Sequence, residues 1–290
     1  MFLKLLKYDM KSTKRYGWII GVILGAATLI ASFAFRFCLE YMERDYDAFT
    51  TFPVYSALLF LTYFSYLMII GFSSYGLIIP MFIRFYKHLY SDEGYLTFTL
   101  PAKRSTILLS KTVNIFVWQT LYVVAVVICL CVVGLIAPPV YEDGQLFNLG
   151  VYETIADAFK LFWDEIGAWL IVYIVEAILF SAVSQFFGIA LLEFCITTGS
   201  VVAKKHKVLA SVGIYAGATM IISAISQFLS LFLQLTVSLG GIEVLSKLSE
   251  QSALVSIALI IFAFVAAFAT FGFAFYFSTL NILERKLNLA

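Results

Sequence analysis

The sequence predicts an all-α integral membrane protein with six membrane-spanning helices. Three observations lead there. Of its 290 residues, 62% are hydrophobic and only 13% are charged, and mean hydropathy is +0.97; a soluble chain of this length could not hide that much apolar surface. The apolar residues also gather into runs long enough to cross a bilayer. Finally, the basic residues collect in alternate connections between those runs, as they do when such connections lie in the cytoplasm.

Residues 1–15 (MFLKLLKYDMKSTKR) place Leu3, Leu6 and Met10 at helical spacing beside Lys4, Lys7, Lys11 and Lys14. They predict an interfacial amphipathic helix on the anionic inner leaflet. The run over 16–37 is long for a signal peptide and reads as a retained first span. Residues 38–52 are acidic (Glu40, Glu43, Asp45 and Asp47 against Arg44). The second span, 53–84, would extend roughly 45 Å against a hydrocarbon core of ~30 Å, so it should tilt or project beyond it.

A polar island, Arg84 to Lys111, follows. Arg84 to Tyr90 can continue a helix, Gly94 and Pro101 punctuate the chain, and Ser105 reads as the N-cap of the third span, 105–136. Two apolar helices need only a few polar residues to turn round. About twenty here, several of them aromatic, suggest either a surface built to meet something or an interfacial loop anchored by its aromatic rings.

Pro138 and Pro139 stop the third span. An acidic connection (Glu142, Asp143, Glu153, Asp157) covers 137–162, with Val151 to Phe162 suited to a short amphipathic helix resting on the membrane. The fourth region, 163–202, is long for one span, and a break near Gly188 is one way to accommodate it. Lys204, Lys205, His206 and Lys207 close it. The fifth span, 208–237, is followed by a short connection with Gly240 and Gly241, and the sixth runs over 252–280.

With both termini inside, only Arg36, Arg44, Lys160 and Lys247 of the 19 basic residues fall outside, which supports that orientation. The whole chain is then a single transmembrane domain, 1–290. Nothing suggests nucleic-acid binding, since basic residues merely flank the spans. Cys38, Cys129, Cys131 and Cys195 show neither a disulfide framework nor a metal spacing. No nucleotide-binding, hydrolase or metalloprotease motif occurs, so the chain is not expected to be an enzyme or to hold a cofactor.

Ionisable groups at bilayer depth are functional candidates. Glu176 and Glu193 both lie in the fourth region; Glu176 sits deep, where it serves either a transport pathway or helix packing, and Glu193 is simply interfacial if the helix spans from Trp163. Ser223, Ser226, Gln227, Ser230 and Gln234 share one face of the fifth span. Such a stripe faces protein or water rather than lipid, which leaves a translocation surface and a helix–helix seam both open. Ala253, Ala258, Ala263, Ala266, Ala267, Ala269, Gly272 and Ala274 suit the sixth span to close packing.

The arrangement resembles the membrane subunit of a bacterial type-2 ATP-binding-cassette exporter. The features that carry the likeness are a basic interfacial helix, six spans, the island between spans two and three, and no nucleotide motif. Within the island, Asp92-Glu93-Gly94, the stretch Tyr95 to Leu100, Pro101 and Lys103-Arg104 follow the order seen in Gram-positive permeases after their first coupling helix. The likeness is greatest to exporters of amphipathic peptides, of the phenol-soluble-modulin and lantibiotic type. It implies the type-2 permease fold, a second permease subunit, a separate cassette ATPase carrying ATP and magnesium, and residence in a Gram-positive plasma membrane. It also implies a coupling segment over about 84–104. Its contact surface would be Tyr86, Lys87, His88, Leu89, Tyr90, Ser91, Asp92, Glu93, Gly94, Tyr95 and Leu96, with a second contact at Lys204, Lys205 and Lys207. Glu176 and the Ser/Gln stripe would face the substrate pathway. Two other readings remain: a proton-coupled secondary transporter working through Glu176, and a scaffold or immunity protein that transports nothing.

Overall fold

The computed structural model describes residues 2–44, 52–99, 101–136, 150–203, 205–236 and 250–285. Among these residues the chain forms eight helices: α1 Phe2–Arg44, α2 Phe52–Tyr90, α3 Asp92–Phe98, α4 Arg104–Ile136, α5 Gly150–Ile166, α6 Trp169–Val202, α7 Lys207–Thr236 and α8 Glu250–Arg285. All except α3 and α5 are long and apolar enough to cross a membrane. Helices are the expected solution, because each satisfies its own backbone hydrogen bonds where no water is present. The expected turns at Pro138–Pro139 and Gly240–Gly241, residues Asp45, Asp47, Glu142, Asp143, Leu100, Lys204 and Lys247, and the tail after Arg285 lie outside the described residues.

Four boundaries differ from those read in the sequence. Residues 1–15 are not a separate element: the helix runs unbroken from Phe2 to Arg44, straight through Gly17. The fourth region breaks at Gly167, not Gly188. Gly167 adopts φ +62°, a left-handed conformation that glycine takes without steric penalty, and it parts the amphipathic α5 from α6. Gly94 lies inside α3; the break falls at Ser91, whose backbone is extended. Finally, α4 begins at Arg104, ahead of Ser105. The carbonyl of Lys103 accepts from the amides of Thr106 (2.9 Å) and Ile107 (3.2 Å), so Lys103 sits at the cap position.

The chain divides into two compact units. One holds Leu3–Ile83 and Val113–Glu165; the other holds Arg84–Thr112 and Ile166 onward, with the first two residues. In the first, Ala31, Phe35 and Tyr66 form a buried core joined by Leu59, Ile70 and Val133. Its buried hydroxyls find partners: Tyr66 lies 3.2 Å from Thr28 Oγ1, and Tyr122 donates to the Ile70 carbonyl at 2.6 Å. Asn114 donates to Thr13 at 3.2 Å.

In the second unit α6 packs along α8. Ala258, Val265, Gly272 and Thr279 are buried at every seventh position, which is the spacing of a coiled-coil seam. Of the small residues expected to pack, Ala258 and Gly272 serve this seam, whereas Ala263, Ala266, Ala267 and Ala274 are exposed on the single chain. The seam is lined by rings: Phe180 and Phe187 lie 5.6 and 5.2 Å from Phe268. Phe187 and Phe194 lie 5.9 and 5.3 Å from Phe275. Helix α7 turns back on α6 at a glycine: a Cβ on Gly199 would come within 2.5 Å of the Ser211 backbone.

Candidate functional site

The polar island becomes an ordered corner. Helix α2 continues through Tyr90, and Leu89, fully buried, anchors its last turn. Ser91 takes extended geometry and donates its hydroxyl to the Lys87 carbonyl at 2.5 Å. The Gly94 amide then returns to the Ser91 carbonyl at 2.8 Å. That close approach requires glycine, because a Cβ there would lie 2.8 Å from the Leu89 carbonyl oxygen. At the other end of α3, Thr99 bonds back to Tyr95 and Leu96, and Pro101 keeps the chain from continuing as helix.

Two cations hold this corner. The Arg104 guanidinium lies over the Phe98 ring, 5.4 Å from its centroid. Its Nη1 donates to the carbonyls of Leu283 (2.5 Å) and Glu284 (3.1 Å), which satisfies acceptors left open at the end of α8. Lys111 Nζ lies 3.1 Å from His88 Nδ1. An ammonium only donates, so Nδ1 accepts and the ring proton sits on Nε2, which faces Glu93 Oε2 at 3.6 Å. With the corner held this way, Tyr95 and Leu96 project outward, 65% and 68% exposed.

Behind the corner lies a buried polar cluster. Glu193 on α6 has 0% exposure, so its carboxyl is enclosed by protein. Thr112 Oγ1 is 3.0 Å from each of its oxygens and 3.1 Å from the Leu108 carbonyl. Lys111 lies within electrostatic reach. One turn along, Thr197 donates to the Glu193 carbonyl at 2.7 Å, and Tyr90 OH meets Thr197 Oγ1 at 2.6 Å. Groups from α2, α4 and α6 thus satisfy one another where water is excluded, as buried polar atoms require.

The residues expected to meet a partner are unevenly placed. Lys87, Glu93, Tyr95, Leu96 and Lys205 are exposed; Tyr86, His88, Ser91 and Lys207 are partly so; Leu89, Tyr90 and Gly94 are buried and support the corner from within. Asp92 opens α3. In the expected pathway, Glu176 is 9% exposed, and its Oε2 has no hydrogen-bond partner among the described residues. Ser223, Ser226, Gln227, Ser230 and Gln234 are all exposed on α7, and among the described residues the three serines donate to carbonyls of their own helix. Among the described residues no hydrogen bond joins Glu176 to this stripe, and the stripe is not a seam inside the single chain.

Sequence reasoning missed Thr112, Thr197 and the capping role of Arg104. A trace was present: Thr197 lies one helical turn from Glu193, and Lys111-Thr112 is a polar pair inside an apolar run. Which helix would oppose Glu193 was not legible. Among the described residues no three His, Cys, Asp or Glu side chains converge to hold a metal. No disulfide joins any of the four cysteines, of which Cys38 and Cys195 are buried. Compared with family models, curated proteins and solved structures, the chain finds no match in any of the three.

Proposed function

We propose that this multi-pass membrane protein is the permease subunit of an ATP-driven exporter of the type-2 cassette class, working with a separate ATPase that binds ATP and magnesium. One observation carries the reading. The corner between α2 and α4 is a short ordered helix, braced by Arg104, His88 and buried Leu89, that presents Tyr95 and Leu96 outward on firm support. An interfacial loop anchored by its rings would not need such bracing. A helix that must take a push from another protein would, because a soft contact absorbs displacement.

In this reading both termini and α3 face the cytoplasm, as the bias of the basic residues favours. Two permease subunits enclose a pathway for amphipathic peptides across a Gram-positive plasma membrane. The exposed α7 stripe faces that pathway or the second subunit, since polar side chains avoid lipid. The test is purification of the tagged chain from gently solubilised native membranes, with identification of co-purifying proteins and an ATPase assay. A cassette ATPase should co-purify and be lost in the Tyr95→Ala, Leu96→Ala double variant while the chain stays in the membrane. A chain that purifies without any ATPase would sink the proposal. The proton-coupled reading through buried Glu176 would then take its place.

A further inference from the structure

Whatever meets α3, its displacement must be passed on to the spans, and the contacts within its unit mark the route. Glu93 on α3 faces His88, which Lys111 contacts from α4. The next residue, Thr112, reaches the Glu193 carboxyl on α6, and Tyr90, at the end of the helix leading into α3, reaches the same turn of α6 through Thr197. Arg104 ties the start of α4 to the last turn of α8. Helices α6 and α8 are joined in turn along their ring-lined seam.

From these contacts we infer that α3, α6 and α8 move as one body, and that Glu193 is the positioning residue locking α6 into it. The physical reason is the absence of water around the lock. An exposed hydrogen bond that breaks is replaced by one to solvent, so the contact can slip. A buried carboxyl that loses its partner gains nothing in exchange. For the α2–α4 corner that carries α3 to slide against α6, the Thr112–Glu193 and Tyr90–Thr197 contacts would have to open together. Displacement of α3 is therefore carried into α6 and, through the seam, into α8. The inference rests on the exporter reading only for the source of the push.

The test uses the full chain in lipid nanodiscs, with Cys38, Cys129, Cys131 and Cys195 replaced by alanine. Spin labels go at Leu96 and Val202, both exposed, and their separation is read by double electron–electron resonance. The unaltered Glu193 chain should give one narrow distance distribution. Thr112→Val keeps the side chain's volume and removes its hydroxyl. It should broaden the distribution and speed hydrogen exchange over 92–99 and 193–203 together by about tenfold, the scale of losing a buried hydrogen bond to a carboxyl group. Glu193→Gln, whose amide can still bond Thr112, should restore a narrow distribution, whereas a mere loss of packing would leave it and Thr112→Val alike. Unchanged distance and exchange in Thr112→Val would overturn the lock, as would a Glu193→Gln chain as broad as Thr112→Val. Failure to capture an ATPase removes the source of the push and leaves the spin-label result standing. A slack Leu96–Val202 distance in the unaltered chain overturns the single body and leaves ATPase capture standing.

Discussion

The α2–α3 corner makes a sharp prediction for Gly94→Ala. Alanine is the better helix former by about 1 kcal/mol, and Gly94 is inside α3 without a left-handed backbone, so propensity alone favours the change. Space opposes it. The added Cβ would lie 2.8 Å from the Leu89 carbonyl oxygen and 3.0 Å from its carbon, an intrusion of about 0.5 Å on ordinary carbon–oxygen contact. The obstructing atoms are backbone, held in the last turn of α2 by the buried Leu89 side chain, and cannot rotate aside. Overpacking of this kind costs about 1–3 kcal/mol. A contact below 3.0 Å with backbone falls in the upper part of that range, about 2–3 kcal/mol, so the clash wins over the gain in propensity, with a net loss of roughly 1–2 kcal/mol confined to the corner, equivalent to about a 5- to 30-fold rise in its opening. Hydrogen exchange over 92–99, measured by mass spectrometry on the full chain in lipid, reads that rise. Gly188→Ala is the control: nothing lies within 4 Å of its Cβ, so exchange there should hold or slow. If Gly94→Ala protects α3 as well as glycine does, the close approach is not what shapes the corner.

Two further predictions concern how the second unit is held. Gly199→Ala should part α6 from α7, because its Cβ would fall 2.5 Å from Ser211 Cα and N. We expect a loss of at least about 2–3 kcal/mol, seen as a lower thermal midpoint in detergent; an unchanged midpoint would refute the tight crossing. Arg104→Lys replaces a planar fork with a point charge and should loosen the hold on the Leu283 and Glu284 carbonyls. The cost is about 1 kcal/mol because the site is partly exposed, read as faster exchange in the last turn of α8 with its middle unchanged. Equal protection of both segments would show that the cap is dispensable.

Much of the architecture was legible because a bilayer is an undemanding reader. It asks only for about twenty apolar residues in a row, so composition and run length determine six long helices without reference to any partner. The positions of basic residues favour an orientation by the same one-dimensional logic. Amphipathic spacing likewise marked the stretch that became α5, and Pro101 marked the link between α3 and α4. Local signals failed where a distant group decided the outcome. Gly94 reads as punctuation, yet it sits inside a helix, and what demands glycine there is the close approach of the Leu89 carbonyl. Gly188 reads as a place to break the fourth region, yet the left-handed backbone falls at Gly167. What encloses Glu193 was not legible, because a sequence cannot say which helix will cover it. Thr112 and Tyr90, 81 and 103 positions away along the chain, cover it only once α2, α4 and α6 are brought together. The sequence by itself thus determined what must leave water, since transfer of apolar surface depends on each run alone. Only the tertiary structure decided which buried polar groups satisfy one another, because that depends on the meeting of helices far apart in the chain.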